Sequence, residues 1–80
     1  MMDRKALITM GYKYPLIMIY EHPEDYPDCY VARVFNEDKP TNICAIAKTY
    51  EELREKWCLS GWAMVSNHRD DDPSVYEIWA

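Results

Sequence analysis

Short apolar blocks separated by polar segments run along this chain, and they predict five strands. The strongest block, Tyr14–Tyr20, is continuous and bounded by charge, which predicts a strand buried on both faces. The block Cys29–Phe35 is rich in β-branched and aromatic residues and predicts the second strand. The block Thr41–Ala47, with Ile43, Ala45 and Ala47 on one face, predicts the third. The blocks Trp62–Asn67 and Val75–Trp79 predict the fourth and fifth strands.

A capping box predicts where the one helix begins. In the Thr-Tyr-Glu-Glu sequence that starts at Thr49, the threonine hydroxyl is placed to accept from the amide of Glu52. Apolar residues then recur at spacings of three and four, which predicts a helix over Tyr50–Leu59. Trp57 and Cys58 are expected on its buried stripe.

The order β-β-β-α-β-β predicts an α+β fold, with a small antiparallel sheet and one helix packed on one face. The other face of the sheet is expected to be partly exposed to water. A length of 80 residues fits one small domain, which we place at residues 14–80. Residues 1–13 are weakly patterned and are predicted to be an N-terminal tail.

The balance of charge disfavours one class of partner and favours another. Fourteen Asp and Glu residues against nine Lys and Arg residues give a net charge of −5. The basic residues are scattered rather than clustered, so a phosphate backbone is repelled and direct binding of nucleic acid is disfavoured. The same electrostatic argument favours a basic protein as partner.

Cysteine usage and hydropathy predict a cytoplasmic protein. Cys29, Cys44 and Cys58 are widely spaced and form no Cys-x-x-Cys pair, which argues against a disulfide framework and fits a reducing compartment. Cys29 and Cys44 are expected to be inert core residues. The apolar run Pro15–Tyr20 is far too short to span a bilayer, and residues 1–10 do not have the pattern of a signal peptide.

Four short motifs give the chain a resemblance to a known family. They are Tyr14-Pro15, Tyr30-Val31, Lys39-Pro40-Thr41 and Thr49-Tyr50-Glu51-Glu52. With these motifs, residues 14 to about 57 resemble the HicB-like antitoxin domain. The chain departs from that family in its longer loop after the first strand and in the segment after Gly61, which does not look like a DNA-binding region. The resemblance implies a partial RNase-H-like sheet with a packed helix, and a protein that binds and blocks another protein.

The acidic loop, which we define as Glu21–Asp28, is the first candidate site. Its sequence, EHPEDYPD, combines four carboxylates with two prolines that fix φ, so the carboxylates are held on a stiff segment. Such a loop is suited to docking on a basic cleft, and the alternative is an acidic loop that is merely solvated. The candidate partner-binding residues here are Glu21, Glu24, Asp25, Tyr26 and Asp28.

A second acidic segment, residues 68–73, supplies the candidate partner-binding residues Asp70, Asp71 and Asp72. Its alternative interpretation is a solvated hairpin tip. The segment lacks the alternating ligands and the glycine of a calcium loop. Zinc is disfavoured as well, because no two of the His and Cys residues have close ligand spacing. We therefore expect no metal and no cofactor.

These observations favour a non-enzymatic protein that occludes a basic macromolecular partner. The carboxylates lie in loops and on the exposed helix face rather than on adjacent strands, so we expect no catalytic residues. An antitoxin bound to its toxin, or a bacteriophage inhibitor bound to a defence nuclease, is the natural example. One alternative is a small-molecule binding module with an aromatic pocket at an oligomer interface. Another is a homodimer formed through the strand Val75–Trp79.

Overall fold

A computed structural model describes residues 3–66 and 74–80 and has an α+β fold, as predicted. The five strands form one antiparallel sheet in the order β3-β2-β1-β5-β4. The elements in chain order are α1 (Arg4–Thr9), β1 (Pro15–Glu21), β2 (Tyr30–Asn36), β3 (Lys39–Ala47), α2 (Tyr50–Lys56), β4 (Met64–Ser66) and β5 (Val75–Trp79).

The pairing of the strands gives the sheet two different faces. Ile17 of β1 lies opposite Val34 of β2, and Ile19 lies opposite Ala32. These four residues are buried and pack in one core with Leu53 of α2. We call this side of the sheet the covered face. The side chains that alternate with them along β1 and β2, such as Tyr20 and Phe35, lie on the opposite side, which we call the open face.

The first strand is fully buried on the covered face only, so the expectation that it is buried on both faces is wrong. Ile17 and Ile19 are buried, whereas Leu16, Met18 and Tyr20 on the open face are only half-buried. The core on the covered face includes side chains from both helices and from the chain after α2. Among the described residues, no helix packs on the open face, so that face is only partly shielded.

The N-terminal segment differs from the predicted tail, because residues 4–9 form a helix. The carboxylate of Asp3 caps it by accepting from the backbone N–H of Lys5, at 3.0 Å. Leu7 is buried in the core on the covered face. A helix with a single buried residue has no apolar periodicity, which explains why the sequence pattern did not reveal it.

The second helix begins as predicted and ends earlier. The hydroxyl of Thr49 accepts from the backbone N–H of Glu52 at 3.1 Å, which confirms this part of the capping box. The helix ends at Lys56, and Trp57 has an extended backbone. The chain then leaves the helix, so that Leu59 and Trp62 enter the core from irregular backbone. Tertiary packing thus overrides the helical spacing over these residues.

The last strand and the cysteines also differ from expectation. β5 lies between β1 and β4, so Val75–Trp79 is not the edge strand that the homodimer alternative requires. Cys44 and Cys58 are exposed, and Cys29 is half-buried at the start of β2. The expectation that Cys29 and Cys44 are core residues is therefore wrong, as is the placing of Cys58 on a buried stripe.

Candidate functional site

One end of the sheet collects most of the candidate residues. β1 ends there at Glu21, β3 ends there at Ala47, and β2, α2 and β5 begin there, because neighbouring strands are antiparallel. We call it the acidic end. Its carboxylates are those of Glu21, Glu24, Asp25, Asp28, Glu51 and Glu52. Carboxylates outnumber the basic side chains at this end, where Lys48 lies between β3 and α2, and such an excess of one sign attracts an oppositely charged partner over a distance.

Hydrogen bonds within the acidic loop hold its carboxylates in place. The backbone N–H of His22 donates to the carbonyl of Cys29 at 3.0 Å, which closes the base of the loop. The backbone N–H of Tyr26 donates to the carbonyl of Pro23 at 3.0 Å, and the backbone N–H of Cys29 donates to the carbonyl of Tyr26 at 3.1 Å. The imidazole Nδ1–H of His22 donates to the carbonyl of Pro27 at 2.6 Å. The loop backbone therefore has less conformational entropy left to lose on binding.

The acidic loop forms one wall of a groove on the open face. The groove has a volume of about 330 Å³. Strand β2 supplies its floor, and Asp25 and Tyr26 of the loop lie at its edge. The lining residues are Tyr20, Pro23, Asp25, Tyr26, Val31, Arg33, Phe35, Pro40 and Ser74. Arg33 is anchored by a hydrogen bond of 2.8 Å from Nη1 to the carbonyl of Thr41. The groove thus combines aromatic walls with a carboxylate at the rim.

The structure brings some of the predicted site residues together at the groove and places others elsewhere. Asp25 and Tyr26 come together at the groove, and Tyr26 is exposed. Glu24 and Asp28 are exposed on the same loop but do not line the groove. Glu21 is turned the other way, and its Oε2 accepts from the hydroxyl of Tyr30 at 2.8 Å. The predicted residues Asp70, Asp71 and Asp72 lie outside the described residues.

On the covered face, the acidic end carries three tyrosines in mutual edge contact. Ring centroids are 6.0 Å apart for Tyr30 and Tyr50, 5.8 Å for Tyr30 and Tyr76, and 5.4 Å for Tyr50 and Tyr76. We call these rings the tyrosine cluster. The contacts have the edge-to-face geometry that aromatic quadrupoles favour. Tyr76 is 37% exposed, so the cluster reaches the surface.

A β-bulge in β5 brings Tyr76 into this cluster. Glu77 pairs with Ile19 and Val75 pairs with Tyr20, so Tyr76 is an extra residue between the two pairs. A bulge lets two successive side chains point to the same side of a sheet. Tyr76 and Glu77 therefore both reach the covered face, which strict alternation along a strand forbids.

Next to the tyrosine cluster, the carboxylate of Glu77 and the guanidinium of Arg54 both form hydrogen bonds with the hydroxyl of Tyr50. We call Tyr50, Arg54, Glu77 and Trp79 the inner site. Glu77 is buried and accepts from the hydroxyl of Tyr50 at 2.8 Å and from the indole N–H of Trp79 at 2.9 Å. Arg54 Nη1 donates to the same tyrosine oxygen at 2.7 Å. Its guanidinium carbon lies 4.9 Å from the centroid of the Trp79 ring and 5.7 Å from that of Tyr50.

The two hydrogen-bonded tyrosines have different electrostatic environments. The hydrogen bond to Glu21, with burial and the charges of Glu21 and Glu51, raises the pKa of Tyr30 to about 12. Burial and the hydrogen bond to Glu77 raise the pKa of Tyr50, and Arg54 opposes that rise. The main influences on the pKa of Tyr30 all raise it, and they include the neighbouring Tyr76.

The described part of the chain contains no cluster of side chains that could bind a metal ion. Over residues 3–66 and 74–80, no three His, Cys, Asp or Glu side chains converge in a way that holds a metal ion. Within the same residues, no helix has the length and apolar character needed to cross a membrane.

Sequence reasoning missed the tyrosine cluster and the inner site. The abundance of tyrosine and tryptophan was the available signal. The contacts between these rings depend on the pairing of β1 with β5 and on the bulge at Tyr76. Neither of these is a local property of the sequence.

Comparisons of the chain with protein-family models, with curated proteins and with solved structures find no match. The resemblance to the HicB-like antitoxin domain stays a prediction. Proposals about function therefore depend on the geometry of the acidic end.

Proposed function

We propose that this chain is a small, non-enzymatic binding protein whose acidic end covers a basic surface of a protein partner in the cytoplasm. The observation that carries the proposal is the hydrogen-bonded acidic loop, which holds Asp25 and Tyr26 at the rim of the groove. A stiff loop with carboxylates and an exposed tyrosine combines long-range attraction with an aromatic contact. The resemblance to HicB-like antitoxins makes occlusion of a toxin one example, and inhibition of a defence nuclease by a bacteriophage protein another.

A charge-neutral variant of the acidic loop tests this proposal. Partners are first captured from a host lysate at low and at high salt and identified by mass spectrometry. The triple variant Glu24→Gln, Asp25→Asn, Asp28→Asn is then expected to bind the captured basic protein with an association rate lowered about tenfold at low salt. Its thermal midpoint should stay close to that of the wild type, because all three side chains are exposed.

A matched triple variant controls for net charge. Glu37→Gln, Asp38→Asn and Glu55→Gln remove three exposed carboxylates that lie outside the acidic loop. This control is expected to change the association rate much less than the loop variant. An association rate that is the same for the wild type and the loop variant would show that the acidic loop does not guide the partner.

The groove supports a second candidate function, the binding of a small molecule. Its volume of about 330 Å³ falls at the lower end of the range for ligand pockets, about 300–1,000 Å³. A second copy of the chain on the open face would enclose it further. Capture of an apolar small molecule that survives high salt would favour this function, because apolar burial is nearly independent of ionic strength.

A further inference from the structure

The chain contains its own example of how this aromatic surface binds an arginine. In the inner site, the guanidinium of Arg54 lies over the ring of Trp79 and donates to the hydroxyl of Tyr50. That hydroxyl in turn donates to the carboxylate of Glu77. The two rings thus hold one guanidinium directly, by cation–π attraction and a hydrogen bond to Tyr50, and the carboxylate of Glu77 acts on it through the tyrosine hydroxyl.

The neighbouring half of the tyrosine cluster repeats the combination at the surface. We call Tyr30, Tyr76 and Glu21 the outer site. The two rings meet at 76° with centroids 5.8 Å apart, and they form a corner. Glu21 is exposed, and its Oε2 accepts from the hydroxyl of Tyr30 at 2.8 Å, as Glu77 accepts from Tyr50. Unlike the inner site, the outer site has no arginine or lysine stacked on its rings within the described residues. The imidazole of His22 packs against Tyr30, with ring centroids 5.3 Å apart, so Tyr76 is the exposed ring of the outer site.

We propose that the outer site binds an arginine side chain of the basic partner, stacked on Tyr76 and paired with the carboxylate of Glu21. This inference rests on the proposed function and specifies which cationic side chain the partner presents. Arginine fits better than lysine because its guanidinium is flat and weakly hydrated and can stack while it donates in its plane. The bulge that carries Tyr76 to this face gives the ring its partly exposed position.

Electrostatics near Tyr30 agree with a site that lacks its cation. The carboxylates of Glu21 and Glu51 both raise the pKa of Tyr30. In the inner site, Arg54 lowers the pKa of Tyr50 against the effect of Glu77. A guanidinium placed at the outer site would meet negative potential from two carboxylates.

Synthetic peptides of oligo-arginine and oligo-lysine, equal in length and charge, provide the probes. The wild-type chain is expected to bind the arginine peptide more tightly at low salt, by about 2-fold and at most about 5-fold, because lysine also makes a cation–π contact but stacks less well. Tyr76→Leu should abolish this preference, whereas Tyr76→Phe should keep it because the ring remains. Equal affinity of the wild type for the two peptides, or no binding of either peptide, overturns the proposal.

Two further variants separate the outer site from general effects. Tyr14→Leu is the matched control, because Tyr14 is also exposed but lies at the opposite end of β1. It should leave the preference for arginine unchanged, and a loss equal to that of Tyr76→Leu contradicts the proposal. Glu21→Gln keeps both rings and should reduce the preference, so the test does not depend on the folding of Tyr76→Leu.

The outcome also distinguishes this inference from the proposed function. If the loop variant slows association with the basic protein while Tyr76→Leu keeps its preference for arginine, the acidic end binds the partner and the outer site is not an arginine site. If the loop variant has no effect on association but the wild type prefers the arginine peptide through Tyr76, the outer site stands and the acidic loop has another role.

Discussion

The inner and outer sites use the same side-chain chemistry at two depths of one aromatic cluster. In the inner site, the buried Glu77 accepts from Tyr50 and Trp79, and Arg54 is stacked beside them. In the outer site, the exposed Glu21 accepts from Tyr30 alone. A buried carboxylate needs several donors, whereas an exposed one is solvated by water. The inner site is therefore expected to stabilise the fold, while the outer site is available to a partner.

The largest expected effect comes from removing the inner carboxylate. Glu77→Leu leaves the Tyr50 hydroxyl and the Trp79 indole N–H without their acceptor, and it leaves the positive charge of Arg54 without a carboxylate in the inner site. We expect the free energy of unfolding to fall by about 3 kcal/mol, as is typical when a buried charge network loses one member. Urea denaturation of the variant measures it.

The equivalent change in the outer site provides the control. Glu21→Leu removes one exposed hydrogen bond, and the expected cost is below about 1 kcal/mol. Equal losses of stability in the two variants would mean that burial does not distinguish the two sites.

A smaller effect is expected from removing one hydroxyl. Tyr50→Phe keeps the ring of the tyrosine cluster but deletes the oxygen that links Arg54 to Glu77. We expect a loss of about 2 kcal/mol, because hydrogen bonds to charged groups contribute roughly 1.5–3 kcal/mol. The matched variant Tyr30→Phe should lose about 1 kcal/mol or less. A larger loss for Tyr30→Phe than for Tyr50→Phe would reverse the comparison.

The same two sites show which features the sequence could predict. The strands β2, β3 and β5, the capping box of α2 and the acidic loop are local patterns, and the sequence predicts all of them. Local signals cannot give the inner site, because it joins α2 to β5 across the sheet. Nothing in the sequence of β5 distinguishes Glu77 from a solvent-facing residue. Only the bulge at Tyr76 places the side chains of both Tyr76 and Glu77 on the covered face.

The segment 57–62 shows a second limit. Trp57 lies four residues after Leu53, and the apolar pattern Tyr50, Leu53, Trp57 and Cys58 predicts a helix that continues to Leu59. The helix instead ends at Lys56, and Leu59 and Trp62 reach the core from irregular backbone. Hydrophobic periodicity thus identified Leu53 as buried but misplaced Cys58, because once the helix ends the chain no longer follows a helical repeat and other residues fill the core.

The smallest expected effect is a dependence on alkaline pH that belongs to the outer site. The pKa of Tyr30 is about 12 in the folded chain, mainly because of its hydrogen bond to Glu21, against an ordinary value of 10.0. Between these two values the unfolded chain has lost the proton and the folded chain keeps it. The resulting stabilisation is complete below pH 10 and is lost as the pH rises towards 12.

Denaturation at several pH values through this window measures the effect. Tyr30→Phe should flatten the decline of stability with pH relative to the wild type, while the control Tyr14→Phe should leave it unchanged. The raised pKa of Tyr50 contributes a decline of the same sign, which persists in Tyr30→Phe and is removed in Tyr50→Phe. Bound arginine peptide should lower the pKa of Tyr30 by favouring its anion, and so flatten the decline in the wild type. If the peptide leaves the pH profile unchanged while it binds, its guanidinium is not beside Tyr30.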